Sequence, residues 1–333
     1  MSANRLRWGM VGSGLMADLI VPDFALVENT ELRYLCTRNP EATKAKYATW
    51  GIEVPLVSDF EAMCADPEVD LVYIAVPHGL HYQYAVKALD AGKPILVEKA
   101  FTLTQAQAQD LADRAAAKGL FVMEAMWTRF LPLYRKLQEE IANGLIGEVK
   151  YTSAYFGIPF GGDENHRLIA KDMGGGSLLD QGVYTINFAD IFFGGAQATS
   201  VEAKGTLLPN GVDGLTMVNL EYGDGRYAQA NSSVTVGLGT EAFIAGTDGG
   251  IHVKGSFWNS DDATVIKASI RGISETKIVG GKIGAGYSHM IQQVSADVLA
   301  GKTQSDIHPI SNTIRMQGYF DQILAQLGVK YDA

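Results

Sequence analysis

Short apolar runs alternate with amphipathic stretches through the first 124 residues of the chain. The apolar runs predict strands of a parallel sheet covered on both faces, at residues 6–11, 32–36, 71–76, 94–97 and 120–123. Helices are predicted between them at residues 40–50, 80–89 and 104–118, with a further short helix opened by a capping box from Ser58 to Glu61. Because strand alternates with helix, we expect a doubly wound parallel sheet with right-handed crossovers.

From residue 148 onward the pattern changes to longer strands, predicted at residues 149–157, 200–208, 215–222, 226–234, 241–246, 250–254, 263–269 and 275–279. Alternation such as that from Asn219 to Tyr222 is typical of an antiparallel sheet with one buried face. Further helices are predicted at residues 131–143, 288–300 and 310–327. The chain is therefore expected to be an α/β protein. We expect an N-terminal domain at residues 1–124 and a C-terminal α+β domain with a large open sheet at residues 125–333. The closing helices of the second domain could pack back on the first.

Composition narrows the class of protein. A net charge of −10 over 333 residues argues against a nucleic-acid-binding surface. Two cysteines, Cys36 and Cys64, cannot form a disulfide framework, and no cysteine or histidine spacing indicates a metal site. No apolar run reaches the length of a membrane span, and the polar start of the chain does not resemble a signal peptide. We therefore expect a cytoplasmic protein.

The turn after the first predicted strand carries Gly12-x-Gly14-x-x-Ala17. At a strand-to-helix turn this is the dinucleotide-binding fingerprint: the first glycine makes the turn, the second lets a pyrophosphate approach, and the alanine lets helix and strand pack. The backbone at Leu15 and Met16 then opens the helix, whose N-terminus favours a phosphate. The sequence thus predicts that the N-terminal domain is a Rossmann domain.

The second predicted strand ends at Thr37-Arg38-Asn39, where an NAD site would favour an acidic residue for the ribose 2′-hydroxyl. A guanidinium can instead pair with a 2′-phosphate, so we predict that the cofactor is NADP. The alternative is that Arg38 stacks on the adenine and serves either cofactor, which leaves NAD possible.

A charged pair, Glu98-Lys99, follows the strand predicted at residues 94–97. Ligands of such sheets bind at the carboxyl ends of the strands, so this pair is a candidate for the active site. The alternative is a partly buried ion pair with a structural role.

The glycine-rich stretch from Gly174 to Gly176 leads into a second candidate site. Ser177 is expected to cap a helix on which Asp180 and Tyr184 stand four residues apart and project from one face. A carboxylate beside a phenol on a rigid helix suits proton transfer. The same residues also fit a capping box from Ser177 to Asp180 with a core tyrosine.

Taken together, these motifs resemble the Gfo/Idh/MocA oxidoreductases, in which the glycine fingerprint, Thr-Arg, Glu-Lys and the Gly-Gly-x-x-x-Asp-x-Gly-x-Tyr pattern recur in this order. The phrase at residues 124–130 is most similar to the branch containing dimeric dihydrodiol dehydrogenases and NADP-dependent xylose dehydrogenases. Two positions depart from the family pattern. Ala100 replaces the usual proline after the lysine, and Tyr184 replaces the common histidine.

The resemblance implies an enzyme that moves a hydride between NADP and a hydroxyl-bearing carbon of a sugar or vicinal trans-dihydrodiol. Lys99, Asp180 and Tyr184 would be catalytic: Tyr184 would take the hydroxyl proton, the Lys99 ammonium would favour its phenolate, and Asp180 would orient the lysine or a substrate hydroxyl. Further cofactor contacts would come from Thr37, Arg38, Pro77, His78, His81, Glu98 and Lys99. The substrate pocket would include Trp127, Arg129, Phe156 and Trp258.

In this family the open face of the C-terminal sheet forms subunit contacts, so the resemblance also implies a homo-oligomer, most simply a homodimer. Two other functions stay open on the same fold. One is a non-catalytic NADP-binding regulator, which should have lost the lysine or the phenol. The other is an NAD-dependent glycosidase, which would turn over without added cofactor.

Overall fold

The computed structural model describes residues 5–160, 166–270 and 272–331 of the 333-residue chain. The chain divides into two compact units, Met1–Trp127 with Ile283–Ile314, and Thr128–Lys282 with Arg315–Ala333. The predicted boundary after residue 124 stays a prediction. The segment 283–314, which that boundary assigns to the second domain, lies with the first unit. The described residues contain no helix that could cross a membrane.

The first unit holds a parallel sheet that, within the described residues, has six strands in the order β3-β2-β1-β4-β5-β6. These strands are β1 (Leu6–Val11), β2 (Thr30–Cys36), β3 (Leu56–Val57), β4 (Leu71–Ile74), β5 (Ile95–Val97) and β6 (Val122–Glu124). The order reverses between β1 and β4, as in a doubly wound sheet. The predicted fold class of this half is confirmed.

The helices of this sheet are α1 (Leu15–Phe24), α2 (Pro40–Ala48), α3 (Phe60–Ala65), α4 (His81–Asp90) and α5 (Gln105–Lys118). Their ends follow ordinary capping chemistry: Thr104 accepts the N–H of Gln107, and Gly119 ends α5 in a left-handed conformation. The predicted capping box from Ser58 to Glu61 is wrong. Asp59 caps α3 instead, because its carboxylate accepts the N–H of Ala62 at 3.0 Å.

The segment 283–314 joins the first unit because a buried carboxylate anchors it. Asp23 on α1 accepts the backbone N–H groups of Ala285, Tyr287 and Ser288 at 2.9–3.0 Å. The next helix, α8 (Ser288–Leu299), also supplies Ser295, whose hydroxyl accepts a hydrogen bond from the indole of Trp8. The sequence pattern predicts this helix, but it does not indicate that Asp23 and Trp8 bond to the segment.

The second unit is built on a sheet of eight described strands in the order β14-β13-β12-β11-β7-β10-β9-β8. These strands are β7 (Val149–Gly157), β8 (Ser200–Leu207), β9 (Asp213–Tyr222), β10 (Arg226–Ser233), β11 (Ala242–Gly246), β12 (Gly249–Val253), β13 (Asp262–Ser269) and β14 (Gly272–Val279). Neighbouring strands pair antiparallel except β7 with β10. The predicted large, mostly antiparallel sheet is confirmed.

One face of this sheet is buried and the other is open. Along β9, Val218, Leu220 and Tyr222 are buried, whereas Met217 and Glu221 are exposed. The buried face packs against α7 (Val183–Phe192), which contacts β7 and β10. The remaining α-helices of the described residues are α6 (Pro132–Ala142) and α9 (Ile310–Leu327). The alternation predicted from sequence therefore separates a core face from a solvent face.

Candidate active site

The fingerprint turn has the geometry that its glycines require. Gly12 has a φ of +109°, and a Cβ there would collide with the carbonyl oxygen of Ala75 at the end of β4. Its N–H donates to the carbonyl of Cys36 at the end of β2, at 3.0 Å. The turn thus packs closely against the end of β4 and is hydrogen-bonded to the end of β2, at the point where the strand order reverses.

The residues after this turn fit a nicotinamide dinucleotide. A Cβ on Gly14 would meet nothing within 4 Å, so the backbone is open to a close-approaching group. The first-turn N–H groups of α1, from Leu15 to Ala17, have no acceptor inside the helix, as at any helix N-terminus. Leu15 is exposed, Met16 is half-buried and Ala17 is buried against the sheet. Such a cradle suits a pyrophosphate.

A cluster of hydroxyl groups joins the fingerprint turn to the end of β2. The Ser13 and Thr37 hydroxyls lie 2.7 Å apart, and Thr37 also lies 3.2 Å from the Thr43 hydroxyl on α2. Arg38 directly follows Thr37 in the sequence, and its side chain is exposed. Asn39 caps α2 by accepting the N–H of Ala42. The ribose-binding end predicted from sequence thus carries three hydroxyls with one exposed guanidinium.

The Glu98-Lys99 pair lies in a buried loop directly after β5. The Glu98 carboxylate accepts hydrogen bonds from the hydroxyl of Tyr73 and from the Lys99 N–H, the latter at 3.2 Å. Burial raises the pKa of Glu98 to about 7, against the opposing effect of these hydrogen bonds. Lys99 is mostly buried, and the peptide bond between Lys99 and Ala100 is cis. Glu98 thus holds the backbone of the lysine.

Two buried histidines hold the same loop. Pro77 precedes a short turn that places His78 and then His81 at the start of α4. His78 Nε2 donates to the carbonyl of Lys99 at 3.0 Å, and His81 lies 2.8 Å from the carbonyls of both Ala100 and Val76. Burial lowers the pKa of His81, so its neutral ring can donate to only one of these carbonyls at a time.

The ring of His81 is fully buried, so the backbone that it holds, rather than the ring, is what this structure offers to a cofactor. No group of three or more potential metal ligands occurs within the residues that the structure describes, and the two histidines bond to backbone instead.

A third anchor of this loop was not found from sequence. Glu124, at the end of β6, accepts the N–H of Phe101 at 3.1 Å. Its other carboxylate oxygen lies 3.1 Å from His308 Nε2 and accepts the hydroxyl of Thr313 at 3.1 Å. All of these side chains are buried. No local signal marks His308 or Thr313, because they meet Glu124 from more than 180 residues away in sequence.

In the second unit, the glycine-rich stretch leads into a helix that begins with a π-helical turn at Leu178–Gly182 and continues as α7. The predicted capping role of Ser177 is wrong. Its hydroxyl donates to Asp213 at 2.7 Å, and that carboxylate also accepts the Leu178 N–H at 2.7 Å. Asp213 therefore caps the helix from a neighbouring strand, which the sequence did not indicate. Burial raises the pKa of Asp213.

Asp180 lies in the π-helical turn, and Tyr184 follows four residues later on α7, so the two residues belong to one continuous helix as predicted. Asp180 forms an ion pair with Arg167 at 3.3 Å and is largely buried. Tyr184 is 7% exposed. Its ring lies 5.9 Å from the ring of Phe156 and 6.1 Å from that of Trp258. The phenol therefore stands in an aromatic environment on a rigid helix.

Phe156 and Trp258 form a parallel stack with centroids 3.6 Å apart and planes 5° from parallel. Trp258 is half-buried, and the Thr128 hydroxyl donates to its carbonyl at 2.7 Å. These two predicted pocket residues and Tyr184 are thus brought together in one unit. Trp127 lies in the first unit, where its ring packs 4.3 Å from that of Tyr287. Lys99 also belongs to the first unit.

Arg129, predicted to face the substrate, is instead held in a buried ion pair. Its guanidinium donates to Asp190 at 2.5 Å and to Asn187 at 2.7 Å, both on α7. Arg315 donates to the second oxygen of Asp190 at 2.6 Å. Although burial alone would raise it, these two cations hold the pKa of Asp190 below its usual range. The contacts give Arg129 the role of fixing α7.

Comparisons with known proteins agree with this architecture. Residues 6–126 match the model of the oxidoreductase family with an NAD-binding Rossmann fold, and residues 134–252 match the GFO/IDH/MocA C-terminal domain. A trans-1,2-dihydrobenzene-1,2-diol dehydrogenase of Xenopus tropicalis is 30% identical, over 98% of this chain and 99% of the relative. The enzyme of the same name from Homo sapiens is 26% identical, over 98% of both chains.

Solved structures share the fold over nearly the whole chain. An NADP-bound 3-ketoreductase of Actinomadura kijaniata superposes with a TM-score of 0.83 at 25% identity, covering 97% of this chain and 98% of its own. A levoglucosan dehydrogenase in complex with NADH and levoglucosan reaches a TM-score of 0.85 at 20% identity, covering 97% of each chain. The latter similarity concerns the fold alone.

The buried position of Arg129 makes a prediction that separates packing from substrate binding. Arg129→Met should lower the free energy of unfolding by about 3–5 kcal/mol, because it leaves Asp190 buried with one cation fewer. Chemical denaturation followed by circular dichroism measures this. Arg135→Met, on an exposed arginine of α6, is the matched control and should change stability by less than about 0.5 kcal/mol. If Arg129→Met leaves stability unchanged and raises the KM for the substrate, Arg129 is a substrate-binding residue after all.

Proposed function

The chain belongs to the Gfo/Idh/MocA oxidoreductase family, and from this premise we propose that it prefers NADP and acts on a sugar or a vicinal trans-dihydrodiol. Its family and relatives make it an NAD(P)-dependent dehydrogenase or reductase acting on a CH–OH group. The observation that carries the proposed chemistry and substrate class is the Tyr184 phenol beside the stacked rings of Phe156 and Trp258. The proposed NADP preference is supported by the exposed Arg38 after β2.

The first unit would hold the cofactor. Backbone groups of the fingerprint turn and the first turn of α1 would bind the pyrophosphate, with Gly14 giving the close approach. Thr37 and Arg38 would bind the 2′-phosphate of the adenosine ribose. When bound, the nicotinamide accepts or returns the hydride of the reacting carbon.

The protein's own groups would handle the proton. In the oxidation direction, Tyr184 would take the hydroxyl proton of the substrate, and in the reduction direction its phenol would give a proton to the carbonyl oxygen. The Lys99 ammonium would stabilise the phenolate and the developing alkoxide. Asp180 would orient a hydroxyl of the substrate or the lysine. The anchors around residues 98–101 support this role, because a catalytic ammonium must be held on a fixed backbone.

The aromatic stack supports the proposed substrate class. Apolar ring faces bind the apolar faces of a sugar or a dihydrobenzene ring, while vicinal hydroxyls turn toward polar groups. Trp258 is half-buried and would offer such a face next to Tyr184, while the buried Phe156 ring supports the other side of the indole. The named activity of the similar dihydrodiol dehydrogenases fits the same geometry. Screening aldoses and trans-diols with NADP⁺ at fixed concentration, with nicotinamide absorbance as readout, tests the class directly.

The sharpest prediction concerns the proposed proton carrier. Tyr184→Phe removes one oxygen, so cofactor binding should persist while kcat falls by roughly 10²–10⁴. Lys99→Met should also reduce kcat, and its residual oxidation should require higher pH. The losses in the double variant should not add, because both changes disable one proton-transfer system. Phe192, also aromatic and on α7, provides a control: Phe192→Leu should change stability with kcat nearly unchanged. Near-normal turnover in Tyr184→Phe would mean that the tyrosine is a packing residue.

Cofactor preference gives a second prediction. The unmutated protein should bind NADP(H) more tightly than NAD(H), and Arg38→Ala should raise the KM for NADP(H) with little effect on that for NAD(H). Loss of a charge-assisted pair corresponds to roughly 1.5–3 kcal/mol. Steady-state kinetics with both cofactors measure this. Equal use of the two cofactors by the unmutated protein would refute the proposed preference.

We also propose a homodimer formed through the open face of the second-unit sheet. Register places Met217 and Tyr227 on one face with Tyr151 and Phe243, and the first two are 45% and 50% exposed. These apolar side chains stand among polar ones such as Glu221 and Gln229. The proposal therefore rests on the open face itself, which no helix of the second unit's core covers within the described residues, and on the family resemblance. Light scattering at micromolar concentration should give twice 35.8 kDa.

The double variant Met217→Lys/Tyr227→Lys should dissociate the dimer without loss of circular dichroism signal. Trp50→Lys, an exposed aromatic position of the first unit, should leave the mass unchanged. A monomer mass for the unmutated protein would contradict the proposal.

A further inference from the structure

An ammonium group is anchored on the fingerprint turn from outside the fingerprint. Lys46, on α2, donates to the carbonyl of Ser13 at 3.0 Å and to the carboxylate of Asp18 at 2.5 Å. Its Nζ also lies 5.2 Å from the ring centre of Tyr47 and 5.8 Å from that of Trp50. These contacts hold a half-buried cation in one place before any cofactor arrives.

The position of this cation relates it to the ribose end of the cofactor. Ser13 is the residue between the two fingerprint glycines, and its hydroxyl contacts Thr37 at the end of β2 at 2.7 Å. In a Rossmann domain, the group that reads the ribose 2′ position follows the second strand, beside the first turn. Lys46 is therefore bonded to a residue that itself touches the predicted 2′-phosphate site.

We propose that Lys46 supplies a second positive charge, beside that of Arg38, which selects for the 2′-phosphate of NADP. This inference rests on the proposed NADP preference. A phosphate monoester carries close to two negative charges at neutral pH, so one exposed guanidinium leaves part of that charge unmatched. An ammonium whose position is already fixed adds attraction with little further ordering of its side chain.

A substitution at Asp18 tests the proposal further, because it should change NADP affinity in the direction opposite to a substitution at Lys46. Its carboxylate, in the first turn of α1, neutralises part of the Lys46 charge and would repel an incoming phosphate. Removing the ammonium and removing the carboxylate should therefore shift NADP affinity in opposite directions. A purely structural role for the pair makes a different forecast. Loss of either partner would then loosen the turn that binds the pyrophosphate, and NADP and NAD would be affected alike.

The experiment measures binding without turnover. Isothermal titration calorimetry gives Kd values for NADP⁺, NAD⁺ and 2′,5′-ADP with the unmutated protein, with Arg38→Ala and with four further variants. Lys46→Met should weaken NADP⁺ and 2′,5′-ADP by about 5- to 20-fold and NAD⁺ by less than about 2-fold. Lys46→Arg should retain most of the selectivity, and Asp18→Asn should tighten NADP⁺. Lys44→Met, on an exposed lysine of the same helix, is the matched control and should change each Kd by less than about 2-fold.

The results that would contradict this inference can be told apart from those that would contradict the proposed function. Equal weakening of NAD⁺ and NADP⁺ in Lys46→Met, or no change in either, would overturn the role of Lys46. An equal effect of Lys44→Met would overturn it as well, because the effect would then come from general charge. If the unmutated protein favours NADP⁺ and only Arg38→Ala removes that preference, this inference fails while the proposed function stands. If the unmutated protein binds NAD⁺ equally well, the proposed NADP preference fails, and this inference fails with it.

Discussion

Hydrogen bonding of the backbone from Lys99 to Phe101 is the constraint on which the nucleotide-binding unit depends. His78 donates to the carbonyl of Lys99, and the N–H of Phe101 donates to Glu124. Between them, the carbonyl of Ala100 lies 2.8 Å from His81, whose ring can donate to it in one of its two tautomers. Buried backbone groups must find partners, and here side chains provide them along three consecutive residues. The strand order β4-β5-β6 makes this possible, because the two flanking strands end beside the loop that carries the lysine.

The helix that carries Tyr184 is fixed by a similar use of buried charge. Asp213 caps its start from β9, and the ion pair between Asp190 and Arg129 holds its far end. A buried carboxylate without a partner would cost several kcal/mol, so each carboxylate restricts the helix to the arrangement that satisfies it. Such fixing suits a phenol that must meet a substrate hydroxyl within hydrogen-bond reach.

Sheet patterning links this helix to the proposed association of subunits. The side chains of β7 alternate, so Phe156 faces the buried side with Tyr184, while Tyr151 belongs to the open face. The same alternation that builds the aromatic stack therefore leaves Met217 and Tyr227 exposed. A register slip of one residue would exchange the two faces and remove both features together.

The sequence by itself determined the fold class, most of the elements and the candidate chemistry, although strand β3 and the π-helical turn at Leu178–Gly182 were not predicted. Periodicity of 2 and 3.6 residues and glycine signals are local, so β1, β7 and α9 begin and end where the pattern predicts. Gly12, Gly14 and Ala17 likewise report a local turn. Only the tertiary structure decided which buried polar groups meet. The capping of Leu178 by Asp213 rather than Ser177, and the pairing of Arg129 with Asp190, join residues 35 and 61 positions apart. Such pairs depend on strand order and helix packing, and a local sequence pattern carries no record of them.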